Sequence, residues 1–334
     1  MWWLFLIYAC LLGGVVVLSN KVATYTDFIE KNTKLTGALL GGVVLAGITS
    51  LPELVTGITS SLLGEPELVQ GDIFGSNIFD VFVIGLIMFL FIKTVRKTNV
   101  SKDNAKFVVW CLIIAFVIGV SILIQVLCNV SFVIPYINVN ALTIVCIALY
   151  VIALLTTSKT EDVEEENAEQ QEEQSDDKSS IKSVVTKFII CSIILIGVSI
   201  AITFTSNIIA NEYGLGKGLA GALFLGVATS LPEIISSFTL VKLGNYNAAY
   251  GNIIGSCLFN FMVLGITDVF FFSGTVFVVN MQSFYATLCM FVAMFAMLMS
   301  YVFKKPEKKL NAVALSVCAS VIIAAYVVFL VVLA

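Results

Sequence analysis

The chain has 334 residues, 59% of them hydrophobic and 12% charged, with a mean hydropathy of +1.03, whereas soluble globular domains are about half apolar and a quarter charged. Its net charge is −4, but ten acids and no base fall within residues 161–177, leaving +6 for the remainder. That balance excludes a soluble enzyme, a secreted disulfide scaffold and a disordered protein, and it offers no basic patch for nucleic acid.

In chain order, ten apolar runs are long enough to cross a bilayer as helices: 1–20, 35–62, 68–92, 107–129, 133–157, 183–209, 218–241, 247–272, 276–303 and 310–333. The first run has no preceding base and no small-residue cleavage site, so it reads as a span and not a signal peptide. Trp2, Trp3 and Tyr8 at its start fit an interfacial aromatic belt. The eight cysteines lie singly in apolar stretches with no CxxC pair, and the chain has no histidine. They read as small core hydrophobes, not as a metal site or a disulfide framework.

Lysine and arginine accumulate in cytoplasmic loops. With the amino terminus outside, seventeen of the eighteen bases fall in the loops expected to be cytoplasmic, and only Lys217 falls outside. The expected topology is multi-pass in a plasma membrane, with both termini extracytoplasmic. The segment 158–182 is acidic and free of aromatics, the composition of a flexible cytoplasmic linker. It divides the chain into spans one to five (1–157) and six to ten (183–334).

A shift of 180 residues superposes 47–85 on 227–265 without a gap, with fifteen of 39 positions identical. Both copies contain TSLPE (49–53 and 229–233), a Leu-Gly (63–64 and 243–244) and a G-x-I-x-G-S (71–76 and 251–256). Five spans separate the copies, so they cross in opposite directions. The fold class is therefore an all-α membrane protein of ten transmembrane helices in two inverted five-helix repeats, an organisation found in many secondary transporters. Pro52 and Pro232, one in each TSLPE, fall deep within spans, and each marks a kinked or broken helix.

Thr49 and Ser50 share a helix face with Glu53, and Ser76 shares one with Asp80. Counting 1.5 Å per residue from the intervening turn places both clusters roughly 16 Å deep, near the bilayer centre. The second copy brings Thr229, Ser230 and Glu233 level with Ser256 and Asn260. A carboxylate at the centre of a span costs about 2.5–3.5 kcal/mol on insertion scales, and the spans offer no Lys or Arg at that depth to neutralise Glu53, Asp80 or Glu233, since Lys187 lies at the edge of 183–209. Their partner must come from solution, as a metal ion or a proton. Carboxylates, hydroxyls, an amide and carbonyls suit hard cations such as calcium or sodium and nothing here suits an organic anion. Gly71, Gly75, Gly251 and Gly255 read as sites of close helix packing, and Asp268 and Glu212 as interfacial acids.

At these residues the sequence resembles the cation/calcium exchanger superfamily, and within it the sodium/calcium exchangers of prokaryotic type. Their two α-repeats carry T-S-x-P-E/D in one helix and G-N-x-x-G-S-N-x-x-N/D in the next. The resemblance implies an antiporter, not an enzyme, that moves calcium against sodium by alternating access and needs no cofactor. It implies Glu53 and Glu233 as central ligands and Thr49, Ser50, Ser76, Thr229, Ser230 and Ser256 as hydroxyl or carbonyl contributors, with Asp80 and Asn260 completing the site. The partners are then calcium and sodium ions and the lipid bilayer. Proton- or potassium-coupled calcium exchange on the same fold is the alternative, and a calcium-permeable channel a more distant one. Three departures stand out. Asp80 and Asn260 are exchanged relative to the usual order, which keeps three carboxylates. Cys257 replaces the asparagine seen at Asn77 and sets a thiol near the pathway. Asp72 stands where Asn is usual, and two readings stand side by side: a proton site, or a bond to neighbouring backbone.

Overall fold

The computed structural model describes residues 2–33, 35–95, 98, 100–135, 138–157, 178–212, 229–302 and 312–333. Most of the linker, the first part of the seventh run, Lys217 and the loop before the last run lie outside the described residues. We number the helices α1 (Trp2–Asn32), α2 (Gly37–Leu62), α3 (Pro66–Leu90), α4 (Lys102–Cys128), α5 (Ala141–Thr157), α6 (Lys178–Glu212), α7 (Leu231–Lys242), α8 (Tyr246–Val269), α9 (Met281–Val302) and α10 (Ala312–Leu333). Eight of the described helices are long and apolar enough to cross a membrane. The chain is a multi-pass membrane protein. Trp2, Phe116, Leu155 and Val331 are among the large apolar side chains left exposed, a surface suited to lipid, and helices suit that setting because their backbone polar groups are satisfied internally.

Several boundaries depart from the expectation: α1 runs on to Asn32, past the expected end at 20, and α9 begins at Met281, after the expected 276. Residues 133–140 do not open a helix: Val133–Ile134 (β1) pairs antiparallel with Val139–Asn140 (β2), in the register Val133 to Asn140. Pro135 disfavours a helical residue before it, and Asn138 turns the chain with a positive φ of 52°. At the other side of the linker, α6 begins at Lys178, so residues 178–182 belong to a helix.

Both TSLPE motifs fold alike. α2 contains a π-helical turn at Leu40–Leu45 and then breaks at Ser50, whose φ of −93° and ψ of 6° leave the helical region before Leu51–Leu62 resumes. Ser230, before α7, has φ −80° and ψ 0°. Each proline occupies the first turn of the new helix, where its missing N–H is tolerated. Hydroxyls one turn later bond back: Thr56 Oγ1 donates to the Pro52 carbonyl at 2.8 Å and Ser236 Oγ to the Pro232 carbonyl at 2.6 Å.

The two helices end alike as well. Gly64 (φ 79°) and Gly244 (φ 84°) adopt the left-handed conformation. Around them Glu65 N–H bonds to Ser60 O and Gly64 N–H to Ser61 O, matched by Asn245 to Leu240 and Gly244 to Val241. This paired closure needs a residue that tolerates positive φ, which explains the Leu-Gly shared by the copies.

Helix α8 is the centre of the bundle, packing on α2, α3, α4, α5 and α7. Glycines bring it against the π turn: a Cβ on Gly255 would collide with the Gly42 carbonyl, and one on Gly251 would meet Asn104 Oδ1 at 2.9 Å and Gly42 N at 3.1 Å. The expectation of close packing holds there. At Gly75 a Cβ would meet nothing within 4 Å, and residues 221 and 222, the counterparts of Gly41 and Gly42, lie outside the described residues.

Helices α1 and α6 pack on each other and against α7 and the second half of α2, while α9 and α10 pair beside α3. Polar ties fasten α1 to the second motif: Thr239 Oγ1 donates to Asn20 Oδ1, and Asn245 Nδ2 donates to Asp27 Oδ1 at 3.0 Å and to Glu30 Oε2 at 2.5 Å.

Candidate cation site

The motif helices meet around buried oxygens. Thr49, Ser50, Glu53, Ser76, Asp80, Thr229, Ser230, Glu233, Ser256 and Asn260 are all 0–1% exposed. Because Ser50 sits at the break in α2, its hydroxyl points away from its own helix and crosses to the second copy. It donates to Glu233 Oε1 at 3.0 Å and lies 2.6 Å from Ser256 Oγ. Thr49 Oγ1 bonds back to Leu45 O at 3.1 Å and Ala46 O at 3.2 Å, and both it and Ser256 lie beside the Glu233 carboxylate. Glu53 is within electrostatic reach of Glu233, Asp72 and Asp80, and Asp80 of Glu233.

Four residues down α8 from Ser256, Asn260 Nδ2 donates to Asn77 Oδ1 at 3.0 Å. Asn77 in turn faces Cys257, its counterpart at the 180-residue offset. Asn77 Nδ2 donates to Cys257 O at 3.3 Å, and Cys257 Sγ donates to Asn77 O at 3.6 Å. The thiol is thus near the cluster, bound to backbone, and all eight cysteines are free.

The two halves are unequally engaged. Ser50, Glu233 Oε1 and Ser256 bond to one another, while the equivalent Ser230, Glu53 and Ser76 hydroxyl or carboxylate oxygens have no hydrogen-bond partner. Both oxygens of Asp80, Glu233 Oε2 and Asn260 Oδ1 are likewise unpartnered. Buried oxygens are ordinarily bonded, and each exception calls for an explanation. No lysine or arginine is buried among the described residues, so no protein cation is at hand. Nor do three acids, histidines or cysteines converge on one point among the described residues. An ion here would be held by carboxylates interleaved with hydroxyls and amides, a set suited to hard cations.

Three residues take on roles that their sequence positions did not reveal. Asn77 orients Asn260 and lies against its own counterpart. Asn252 Nδ2 gathers Glu233 O (3.3 Å), Ser236 Oγ (3.1 Å) and Ser237 Oγ (2.9 Å). Asp268, one residue before the end of α8, is buried by the protein at 1% exposure. Its Oδ2 accepts from Asn140 N at 2.8 Å and Thr143 Oγ1 at 2.5 Å, and its Oδ1 from Thr275 Oγ1 at 2.6 Å and Val276 N at 2.8 Å. Glu212 is exposed at the end of α6, as expected.

Known proteins are similar to this chain in sequence and in fold. Inner membrane protein YrbG of Escherichia coli K12 is 23% identical over 254 residues, covering 75% of this chain and 74% of that one. Membrane protein MJ0091 of Methanocaldococcus jannaschii, described as uncharacterized, is 28% identical over 252 residues, 73% of this chain and 74% of its own. A solved structure of the sodium-calcium exchanger NCX_Mj, soaked with sodium and without calcium, superposes with a TM-score of 0.66. It covers 97% of this chain and 96% of that one at 18% identity, which bears on the fold. The profile of the sodium/calcium exchanger protein family matches residues 3–159 and 183–334, on both sides of the acidic segment. With both halves matched and a cluster of buried, unpartnered oxygens formed where the motifs meet, the chain belongs to the sodium/calcium exchanger family.

Proposed function

We propose that the protein is a secondary antiporter that exchanges sodium for calcium by alternating access at this cluster. The observation that carries the reading is the set of buried, unpartnered oxygens from Glu53, Ser76, Asp80, Ser230, Glu233 and Asn260 in a bundle with no buried base among the described residues. Calcium takes six to eight oxygen ligands, and that set, with Thr49, Ser50, Thr229 and Ser256 alongside, is sufficient in number and kind. One calcium, or two or more sodium ions, offsets most of the charge of three carboxylates. The empty, ionised site is costly to bury, so the unloaded form resists switching, and that resistance makes exchange obligatory.

In this reading the ten helices form two inverted sets of five (1–157 and 183–334), with both termini extracytoplasmic and the acidic segment cytoplasmic, in a cell membrane. The like conformations at Ser50 and Ser230 and at Gly64 and Gly244 support the relation between the copies, as does the meeting of Asn77 with Cys257. Helices α1 and α6, paired and lying against the motif helices, are placed to slide or rock and switch access.

The test is uptake of radioactive calcium into proteoliposomes loaded with sodium, against equal sodium on both sides and against a proton gradient alone. Uptake should require the sodium gradient and be lost in Glu53→Gln and Glu233→Gln. Normal sodium-driven uptake in both variants would sink the assignment, and uptake driven by protons alone would replace the coupling ion.

A further inference from the structure

We propose that Asp72 forms a separate sodium site on α3, between the central cluster and the turn at Gly64. This rests on the antiporter reading of the centre and adds a site outside it. Asp72, Ser76 and Asp80 recur every four residues and so line one face of α3. All three side chains are buried, and the Asp72 and Ser76 oxygens have no hydrogen-bond partner, while the Asp80 carboxylate has the Ser256 hydroxyl beside it. The matching column on α8 is engaged at each step. Asn252 donates to three acceptors, Ser256 pairs with Ser50, and Asn260 donates to Asn77.

The two copies share their register: helices of twelve residues, the same left-handed glycine, and a new helix two residues later. Asp72 therefore faces the 53–57 turn as Asn252 faces 233–237, and it lies within electrostatic reach of Glu53. The partners differ in chemistry, however. Where Asn252 offers N–H groups to a main-chain carbonyl and two hydroxyls, Asp72 offers lone pairs alone. The hydroxyl across from it, Thr56 Oγ1, already spends its proton on the Pro52 carbonyl, and the counterpart of Ser237 is Gly57, which has no side chain. By this shared register Asp72 has no donor opposite it where Asn252 finds a carbonyl and two hydroxyls in the other copy, and both of its oxygens are without a partner. A bond to neighbouring backbone, one of the two sequence readings of Asp72, is not made. A proton would serve one lone pair, whereas a small hard cation draws on all of them.

A monovalent cation suits a single carboxylate with neutral oxygens. Asp72 lies eight residues from Asp80, roughly 12 Å along the helix, so an ion there adjoins the centre on the side of Glu53 and Ser76 without drawing on Asp80. The column gives a cation entering past the Gly64 turn a first carboxylate, then Ser76, then Asp80.

The experiment is equilibrium binding of radioactive sodium to the purified full-length protein in lipid nanodiscs, native against Asp72→Asn, with radioactive calcium binding in sodium-free medium measured in parallel. Asparagine is already accommodated at position 252, and retained calcium binding certifies a folded protein with its centre intact. The expected result is one sodium equivalent fewer per protein in Asp72→Asn. An unchanged sodium complement and affinity overturn the proposal. The reading of the centre fails on a different result, namely calcium binding that survives Glu53→Gln.

Discussion

Replacing Asp268 by asparagine should destabilise the protein by about 3–6 kcal/mol while leaving the central cluster in place. The carboxylate accepts four hydrogen bonds, two on each oxygen, from β2, α5 and the loop that follows α8. Asparagine keeps one oxygen and turns an N–H₂ group towards the other pair of donors, whichever way it is oriented, so two bonds are lost. A hydrogen bond to a charged group contributes about 1.5–3 kcal/mol net, and a buried donor left unpaired adds a desolvation penalty. Thr143→Val removes one of the four and should cost about half as much by the same rule. Asp268 lies twelve residues from Ser256, roughly 18 Å along α8, too far to touch the ion. The assay is thermal unfolding of the purified protein, with calcium binding measured below the transition. A melting temperature unchanged in Asp268→Asn would refute the reasoning, as would Thr143→Val proving the more damaging of the two.

Two further outcomes follow from the packing and from the exchanged pair. Gly255→Ala should destabilise the α2–α8 contact by about 1–3 kcal/mol or more, and by more than Gly251→Ala. Its Cβ meets the Gly42 carbonyl, whereas half of the obstruction at Gly251 is the end of the Asn104 side chain; comparison of the two melting curves checks the order. The double exchange Asp80→Asn with Asn260→Asp keeps three carboxylates but sets a carboxylate against Asn77 Oδ1, which now accepts from Asn260 at 3.0 Å. Rotating the Asn77 amide would forfeit its bond to Cys257 O. A lost bond of this kind is worth about 1–3 kcal/mol, so calcium affinity should fall by about 5- to 150-fold, and equal affinity in equilibrium binding would count against this account of the exchange.

Much of the centre was legible because it is written in local pattern. A proline after Thr-Ser marks a break, a glycine after leucine marks a left-handed helix end, and four-residue spacing puts hydroxyls and acids on one face. The repetition of all three at one offset tied the copies together. What stayed hidden depends on partners far away in sequence. Asp268 reads as a boundary acid until Asn140 and Thr143 are seen beside it. The span expected over 133–157 was an apolar run in which valine and isoleucine suit strand as well as membrane helix, and Pro135 was the sign that its first third would not be helical. The π turn at Leu40–Leu45 has no signal beyond the pair Gly41 and Gly42, which the backbone of α8 explains only in three dimensions.

The bond network of Ser50 has a kinetic meaning for the proposed exchanger. An ion that recruits the Ser50 hydroxyl, Glu233 Oε1 or the Ser256 hydroxyl first has to separate them from one another, and when it leaves they close again. Coordination and self-association therefore compete for the same lone pairs. The engaged half of the cluster lowers the net affinity of the ion and hastens its departure, while the unpartnered half, with Glu53, Ser76 and Ser230, offers oxygens with nothing to give up. Capture and release are thereby assigned to opposite sides of one site, so that holding an ion does not become trapping it.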